Sequence, residues 1–279
     1  MELLFNSFLK AVKQYPDHIA VKEFDKSISY KDLFRHIASL SVWLAEEGLE
    51  KGDRVGIHIP NSIEYIIAYY ACWQASLVPV ALNTLASPHE ISNWTDNSGC
   101  KLLFSRKLSD SLTSVPVYLI ETESDILKVN DKIVTVYDDD FLDCSVSGED
   151  IATIIYTSGT TGNPKGITLS HDNLATNIHA IVKSLAIVNE DVFLCILPFF
   201  YSFGNSILHT HLVSGATLVL LNQVMFPNEI IKTIEREACS GFAGVPSIYI
   251  TLLKKTNLKD YNLSSLRYMT QAGGALSKE

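Results

Sequence analysis

The chain has 279 residues, of which 47% are hydrophobic, 19% charged and 10% aromatic, as in a globular protein with a sizeable core. Its formal net charge is −9, from 22 lysines and arginines against 31 aspartates and glutamates. This acidic balance argues against broad binding to nucleic acid or to an anionic membrane surface, because no basic stripe is available to release counterions, but it allows one local anion site.

The first half of the chain alternates between helical and strand periodicity. Leu33, Ile37 and Leu44, for example, fall on one helical face that Gly48 ends. The patterns predict helices over residues 3–14, 32–47, 62–76 and 88–97. They predict two short strands around a turn at 25–26 within residues 19–30, and further strands over 53–59, 77–82, 100–105 and 116–121.

The second half begins with a polar, acidic and aperiodic segment, 121–150, for which we predict a surface loop with one strand at 132–137. The next segment, 150–157, is a β-branched run typical of a strand that is buried on both faces. Beyond it the patterns predict strands over 166–170, 191–197, 216–221, 241–245 and 266–274, and helices over 173–185, 206–213, 227–239 and 247–254.

Strands that alternate with helices along a whole chain indicate an α/β protein with largely parallel sheets. The strands are too many for one comfortable sheet. We therefore predict two α/β subdomains, one over residues 60–170 and the other over 171–279, the latter joined by 1–59.

The cysteines and the N-terminus bear on the compartment. Five scattered cysteines without a C-x-x-C pair are typical of free thiols in a reducing environment. The N-terminus lacks the pattern of a signal peptide, and the longest apolar run, 65–73, is too short to span a membrane. We therefore expect a cytoplasmic protein.

The segment IIYTSGTTGNPKG, residues 154–166, concentrates hydroxyl side chains and three glycines directly after the buried strand. Glycines let backbone N–H groups approach one anion closely, and the hydroxyl groups add further donors. Lys165 adds a compact positive charge. Together these groups suit a polyphosphate.

This loop differs from the common G-x-x-x-x-G-K-[ST] phosphate loop. Pro164 stands where that pattern requires glycine, and Gly166 follows Lys165. A strand is predicted next, so no helix N-terminus lies directly behind the phosphates. On the residues alone, an ordinary Thr- and Gly-rich turn stays open as the alternative.

The run YTSGTTGNPKG, residues 156–166, resembles the signature phosphate loop of the AMP-forming, adenylate-forming enzymes, which include acyl-CoA synthetases, aryl-CoA ligases, luciferases and peptide-synthetase adenylation domains. Ser76 stands where the family usually has glycine. Weaker similarities follow the family's order at ISYKDL (28–33), WQASLVPVALN (73–83), LPFFYSFG (197–204), GVPS (244–247) and QAGGALS (271–277).

The resemblance implies a two-step reaction with ATP and Mg²⁺ as cofactors. A small carboxylic acid attacks the α-phosphate of ATP, giving an acyl-adenylate and pyrophosphate, and the thiol of CoA or of an acyl carrier protein's phosphopantetheine then displaces AMP. Two alternatives remain. One is a nucleotide-binding remnant without chemistry, and the other is an ATP hydrolase or kinase, which would release ADP.

The resemblance also assigns residues to these groups, with Lys165 and Tyr201 as the expected catalytic residues. Lys165 would hold the departing pyrophosphate, and Thr160 would lie near Mg²⁺ through the phosphates. The β- and γ-phosphates would be cradled by Thr157, Ser158, Gly159, Thr160, Thr161 and Gly162. Adenine would contact Gly273, Gly274 and Ala275, and the acid would contact Tyr201, Phe203, Gly204, Gly244 and Ser247.

Tyr201 departs from the family pattern. Members that form acyl-CoA commonly carry histidine there, and members that activate amino acids carry an aspartate nearby. Tyrosine supplies no negative charge at neutral pH for an ammonium group, so we expect a fatty or other non-amino acid; a Tyr201 that only packs is the alternative. His209 and His211 lie two apart on a predicted helix and point to different faces, which argues against a shared metal.

The family's later motifs, including Y-G-x-T-E and the lysine of a small C-terminal domain, do not occur before Glu279. We therefore expect an incomplete N-terminal AMP-binding domain that belongs to a longer enzyme and lacks ligase activity by itself.

Overall fold

The computed structural model describes residues 2–106, 113–123, 126–135, 145–157, 165–222 and 226–275. The α-helices in these ranges are Leu4–Gln14 (α1), Tyr30–Glu46 (α2), Ile63–Gln74 (α3), Pro88–Ser98 (α4), His171–Leu185 (α5), Ser202–Leu212 (α6), Pro227–Arg236 (α7) and Pro246–Lys255 (α8). The strands are Ile19–Glu23 (β1), Lys26–Ser29 (β2), Arg54–His58 (β3), Val78–Ala81 (β4), Cys100–Ser105 (β5), Val117–Tyr118 (β6), Ile120–Glu123 (β7), Ile126–Val129 (β8), Lys132–Val134 (β9), Ile151–Thr157 (β10), Lys165–Ser170 (β11), Val192–Cys195 (β12), Thr217–Leu220 (β13), Gly241–Gly244 (β14) and Tyr268–Gln271 (β15).

Two sheets of six strands organise the chain. The first sheet has the order β15-β14-β12-β13-β1-β2, and every neighbouring pair is parallel except β1 with β2. The second has the order β11-β10-β4-β3-β5-β6, and every pair is parallel except β10 with β11. The predicted α/β class with largely parallel sheets is confirmed.

The segment predicted as a loop with one strand holds a small antiparallel sheet, β7-β8-β9, so the prediction was wrong there. Its strands have only three or four residues, too few for a clear period. Asn130 and Asp131 both have positive φ (48° and 64°), which is the conformation of a tight hairpin turn. The Asn130 side-chain oxygen also accepts a hydrogen bond from the Leu119 N–H at 2.7 Å.

The two six-stranded sheets draw their strands from different parts of the chain. Strands from 19–29 and 192–271 form the first sheet, and strands from 54–118 and 151–170 form the second. β3, which the sequence grouped with the opposite unit, pairs with β4 and β5 in the second sheet.

The helices begin where capping side chains are available and bury the faces that the sequence predicts. Ser29 accepts a hydrogen bond from the Asp32 N–H at α2, and Ser62 accepts one from the Tyr65 N–H at α3. All twelve residues of α3 are buried, as its uniformly apolar sequence predicts. Among the described helices, none has the length and apolar character needed to cross a membrane.

Helices cover both faces of the first sheet, and the alternation along β12 shows this directly. Phe193 and Cys195 belong to a core with α1, α2, α3 and α6, whereas Leu194 packs with α7 and α8. Four cysteines are buried free thiols, as expected: Cys72, Cys100, Cys195 and Cys239. Cys144 lies outside the described residues.

Candidate functional site

The predicted acid and adenine residues follow the carboxyl ends of three neighbouring strands. Tyr201 comes after β12, Ser247 after β14 and Gly273 after β15. Because β15, β14 and β12 are adjacent and parallel, the loops that follow them lie at one edge of the sheet. The crevice at the carboxyl edge of an open α/β sheet is where such folds bind ligands.

Tyr201 lies in the turn between β12 and α6. Its backbone N–H donates to the Pro198 carbonyl at 3.2 Å, and its ring packs 4.5 Å from the ring of Phe200. The Tyr201 side chain is 50% exposed, so it is accessible to a ligand. A Cβ at Gly204 would lie 2.0 Å from the Pro198 oxygen, so only glycine lets the first turn of α6 pack onto this loop.

The predicted adenine turn contacts the turn after β14. Gly273 has a φ of +88°, which favours glycine, and a Cβ there would lie 3.4 Å from the Val245 side chain. A Cβ at Gly274 would lie 3.4 Å from Pro246. The Gln271 side chain donates to the Gly274 carbonyl at 2.7 Å, which closes the turn. The structure therefore brings the segments after Gly244 and after Gln271 together.

A cavity of about 270 Å³ lies between α5, α6 and the first sheet. Phe203, Ile207 and Thr210 contribute successive turns of one face of α6 to its wall. The Thr210 hydroxyl donates to the Ser206 carbonyl at 2.9 Å, and the Ser206 hydroxyl donates to the Ser202 carbonyl at 2.9 Å. These polar side chains are therefore satisfied within the helix, and the wall is predominantly apolar.

His211 also lines this cavity. Its Nδ1 lies 2.8 Å from the Ile207 carbonyl, which can only accept, so Nδ1 carries the proton and Nε2 accepts from the Tyr268 hydroxyl at 2.9 Å. Burial lowers the pKa of His211 to about 4, so the ring is neutral at pH 7. A Cβ at Gly241 would lie 2.5 Å from the Phe193 ring and 2.6 Å from the Tyr268 ring, so glycine makes room for this aromatic group.

His209 and His211 have separate surroundings. His209 accepts or donates a hydrogen bond at 2.9 Å with the Tyr70 hydroxyl and stacks on Trp73 at 4.8 Å. Burial lowers its pKa to about 3. Within the described part of the chain, no cluster of three or more His, Cys, Asp or Glu side chains could hold a metal ion.

Ser247 does not line the cavity that holds Phe203. It lines a different cavity of about 280 Å³ between α7 and α8, together with Pro227 and Lys255. Phe203 packs with the core on the α6 side of the first sheet, whereas α7 and α8 cover the opposite face.

A model of the family described as AMP-binding enzyme matches residues 8–279. The chain belongs to this family. Among its relatives, a long-chain-fatty-acid–CoA ligase of Bacillus subtilis (strain 168) is 28% identical over 306 aligned residues, covering 95% of this chain and 54% of the relative. The 4-coumarate–CoA ligase 3 of Arabidopsis thaliana is 28% identical over 272 residues, covering 91% of this chain and 47% of the relative.

Solved structures of AMP-binding enzymes agree with the fold. A complex of o-succinylbenzoate CoA synthetase from Bacillus subtilis with its acyl-adenylate intermediate has a TM-score of 0.83 at 25% identity, over 97% of this chain and 68% of that one. The N-terminal domain of FACL13 from Mycobacterium tuberculosis has a TM-score of 0.87 at 22% identity, over all of this chain and 71% of that one, which shows the fold alone. The chain spans about half the length of the curated relatives it matches.

The predicted phosphate loop, the signature loop of residues 156–166, falls largely outside the described residues, including Ser158, Gly159, Thr160, Thr161 and Gly162. The strands on either side of it are described. β10 and β11 form an antiparallel ladder in which Thr157 is the partner of Lys165, and Lys165 is exposed. The segment after the loop is therefore a strand, as predicted, and α5 begins only at His171.

Several residues of the candidate site could not be singled out from the sequence. His211 was considered only as a metal ligand, and Phe193, Tyr268 and Gly241 were not singled out. Asn61, between β3 and α3, was also missed, although an asparagine in a strand–helix turn can bond to backbone groups of distant loops.

Proposed function

We propose that the complete protein activates a carboxylic acid as an acyl-adenylate, with release of pyrophosphate, and transfers the acyl group to a thiol. The observation that carries the proposal is an apolar cavity in a chain of the AMP-binding family. Its wall includes Phe203, two residues after Tyr201, and Tyr201 follows the carboxyl end of β12. The relatives named above are CoA ligases, which supports CoA as the acceptor; a carrier-bound phosphopantetheine offers the same thiol.

The proposed chemistry needs position and charge more than covalent participation by the protein. A carboxylate oxygen attacks the α-phosphorus, the α–β phosphoanhydride bond breaks, and pyrophosphate leaves. The thiolate then attacks the acyl carbon, and the carbon–oxygen bond to AMP breaks. Aligning the carboxylate with the α-phosphate, and stabilising charge on the leaving group, are the effects that accelerate such a transfer.

Each group has proposed residues on this chain. Backbone N–H groups and hydroxyls of residues 157–162 cradle the β- and γ-phosphates, and the compact charge of Lys165 accompanies the pyrophosphate. Tyr201 orients the carboxylate at the mouth of the cavity, flanked by Phe203 and Gly204. The turn Gly273–Gly274–Ala275 takes adenine, and Gly244 and Ser247 remain proposed acid contacts.

Adenylate-forming CoA ligases use Mg²⁺ with ATP in general. We propose that the phosphates hold the ion, with the Thr160 hydroxyl near it. Phosphate and hydroxyl oxygens are the hard ligands that Mg²⁺ prefers.

The cavity favours an uncharged acyl tail. The Ser206, Thr210 and His211 side chains already form hydrogen bonds with other groups of the protein, and His211 is neutral at pH 7. A second carboxylate or an ammonium on the tail would lose its hydration, and the described lining offers no Lys, Arg, Asp or Glu side chain to pair with it. We therefore propose a fatty or other apolar monocarboxylic acid as the substrate. We also propose that the enzyme works in the cytoplasm, because the buried cysteines among the described residues are free thiols.

The test is a product analysis with the complete enzyme, ATP, Mg²⁺ and CoA. Acids from acetate to palmitate are compared with a dicarboxylate and an α-amino acid, and nucleotides are separated by chromatography. We expect AMP that depends on an apolar acid. ADP would indicate a hydrolase or kinase, and nucleotide binding without turnover would indicate a non-catalytic protein; either result overturns the proposal.

A further inference from the structure

Asn61 lies in the turn between β3 and α3, at the carboxyl edge of the second sheet. It is 5% exposed and directly precedes Ser62, the residue that caps α3. The strand before Asn61, β3, belongs to the second sheet, whereas the partners of the Asn61 side chain lie in the loop after β12 of the first sheet.

The Asn61 side chain clamps the loop that leads to Tyr201. Its Nδ2 donates to the Leu197 carbonyl at 2.8 Å, and its Oδ1 accepts from the Phe199 N–H at 2.8 Å. The carbonyl can only accept and the N–H can only donate, so the orientation of the amide is determined by its partners. Both loop atoms belong to residues that flank Pro198.

The same turn makes two further contacts with the first sheet. The backbone carbonyl of Asn61 accepts a hydrogen bond from the Asn222 side chain, which follows β13. The N-terminus of α3 is also held, because the Ile63 N–H donates to a carboxylate oxygen of Glu23 at 3.0 Å. Glu23 is the last residue of β1. The β3–α3 turn therefore joins the ends of β1, β12 and β13 to the second sheet.

The clamped loop in turn determines where Tyr201 lies. The Pro198 carbonyl, between the two clamped residues, accepts the Tyr201 N–H and supports Gly204 at the start of α6. On the other side, β3 is two strands from β10, about 10 Å, and the signature loop follows β10. Asn61 thus fixes the loop that bears Tyr201 against the carboxyl edge of the second sheet.

We infer that Asn61 is a positioning residue for the proposed reaction: it holds the Leu197–Phe199 loop, and with it Tyr201, in a fixed position relative to the second sheet. The inference rests on the proposed function for its consequence in catalysis, but the clamp itself can be measured separately. Asparagine suits the position because a neutral side chain of this length supplies one donor and one acceptor at once.

The first test uses Asn61→Asp in the complete enzyme, measured by acid-dependent exchange of pyrophosphate into ATP. An ionised aspartate can accept from the Phe199 N–H but cannot donate to the Leu197 carbonyl. We expect kcat to fall about tenfold to a hundredfold, as for a displacement of about 1 Å, while the KM for ATP stays within about twofold.

The pH profile separates positioning from a merely structural role. A protonated aspartic acid regains the missing donor, so the ratio of Asn61→Asp to wild-type activity should rise as the pH falls. The ratio for Asn61→Ala should not rise, and Asn93→Asp, the same change at an exposed asparagine of α4, should behave as wild type at every pH. Wild-type-like kcat for Asn61→Asp, or a flat ratio, would overturn the inference.

The second test does not depend on catalysis. In amide hydrogen exchange, the Phe199 N–H of the wild-type chain should be protected, and Asn61→Ala, which removes the acceptor of this N–H, should increase exchange in the peptide over 197–201 while leaving β4 unchanged. If wild type shows no pyrophosphate exchange but the loop responds in this way, the proposed function fails and the clamp stands. Unchanged protection of the Phe199 amide would refute the clamp itself.

Discussion

Gly204→Ala tests the packing of α6 on the loop that carries Tyr201, because two effects of opposite sign meet there. Alanine in a helix is favoured over glycine by about 1 kcal/mol, so propensity alone predicts a more stable protein. The new Cβ, however, would lie 2.0 Å from the Pro198 oxygen, 2.6 Å from the Pro198 carbonyl carbon and 2.9 Å from the Leu197 oxygen. All three are backbone atoms, so no side-chain rotation relieves the contact.

The magnitude follows from how far the helix must move. A carbon–oxygen contact of about 3.3 Å requires a retreat of about 1 Å by a helix whose neighbouring loop is hydrogen-bonded to Asn61. Overpacking of this kind costs about 1–3 kcal/mol, and the immobile backbone places Gly204→Ala near the upper end. After subtracting the propensity gain, we expect a loss of about 2 kcal/mol in the free energy of unfolding.

The assay is urea denaturation of Gly204→Ala beside Gly274→Ala. At Gly274 the nearest atom to a new Cβ is 3.4 Å away, an ordinary contact, so its free energy of unfolding should change by less than about 0.5 kcal/mol. Should Gly204→Ala prove as stable as wild type or more stable, the close approach of α6 to Pro198 would be refuted, and with it the position assigned to Tyr201.

Three further predictions concern the cavity, an ion pair and the signature loop. Tyr268→Phe removes the hydroxyl that donates to His211 and leaves a buried acceptor, so thermal or urea unfolding should show a loss of about 1–3 kcal/mol, and an unchanged stability would contradict the hydrogen bond. Burial raises the pKa of Asp191, but hydrogen bonds from Ser240 and the Val188 N–H, together with Arg267, leave it below its usual range. A lowered folded-state pKa stabilises the folded protein above the unfolded value and loses that contribution as the pH falls through the folded value, so stability should decline below about pH 4 and Arg267→Met should flatten this decline. Lys165→Ala should abolish acid-dependent pyrophosphate exchange while the far-UV circular dichroism and unfolding midpoint stay as in wild type; retained exchange would remove Lys165 from the mechanism.

Local patterns were enough to predict most of the fold. The continuous apolar run of β10 and the all-round apolar sequence of α3 each identify a buried element without reference to the rest of the chain. The small β7-β8-β9 sheet was missed because its strands are shorter than a readable period, and its hairpin depends on an Asn-Asp pair at positive φ that the acidic composition of the segment obscured.

The site was only partly predictable because its contacts join distant parts of the chain. Glycines such as Gly204 and Gly273 could be found from local motifs, and the structure supplies a reason for each. The Asn61 clamp could not, since its partner Leu197 is 136 residues away. The hydrogen bond from the Tyr268 hydroxyl to His211 likewise depends on the neighbouring positions of α6 and β15, which no periodicity reveals.

We propose that the carboxylate of the acid attacks the α-phosphate of ATP. The most direct measurement supplies the complete enzyme with ATP, CoA and an apolar acid whose carboxylate carries ¹⁸O, and then analyses the nucleotide by mass spectrometry. Because the attacking oxygen stays on phosphorus when the thiol displaces AMP, we expect one labelled oxygen in the AMP of each turnover. Unlabelled AMP, or label in inorganic phosphate with ADP as the product, would contradict adenylate formation.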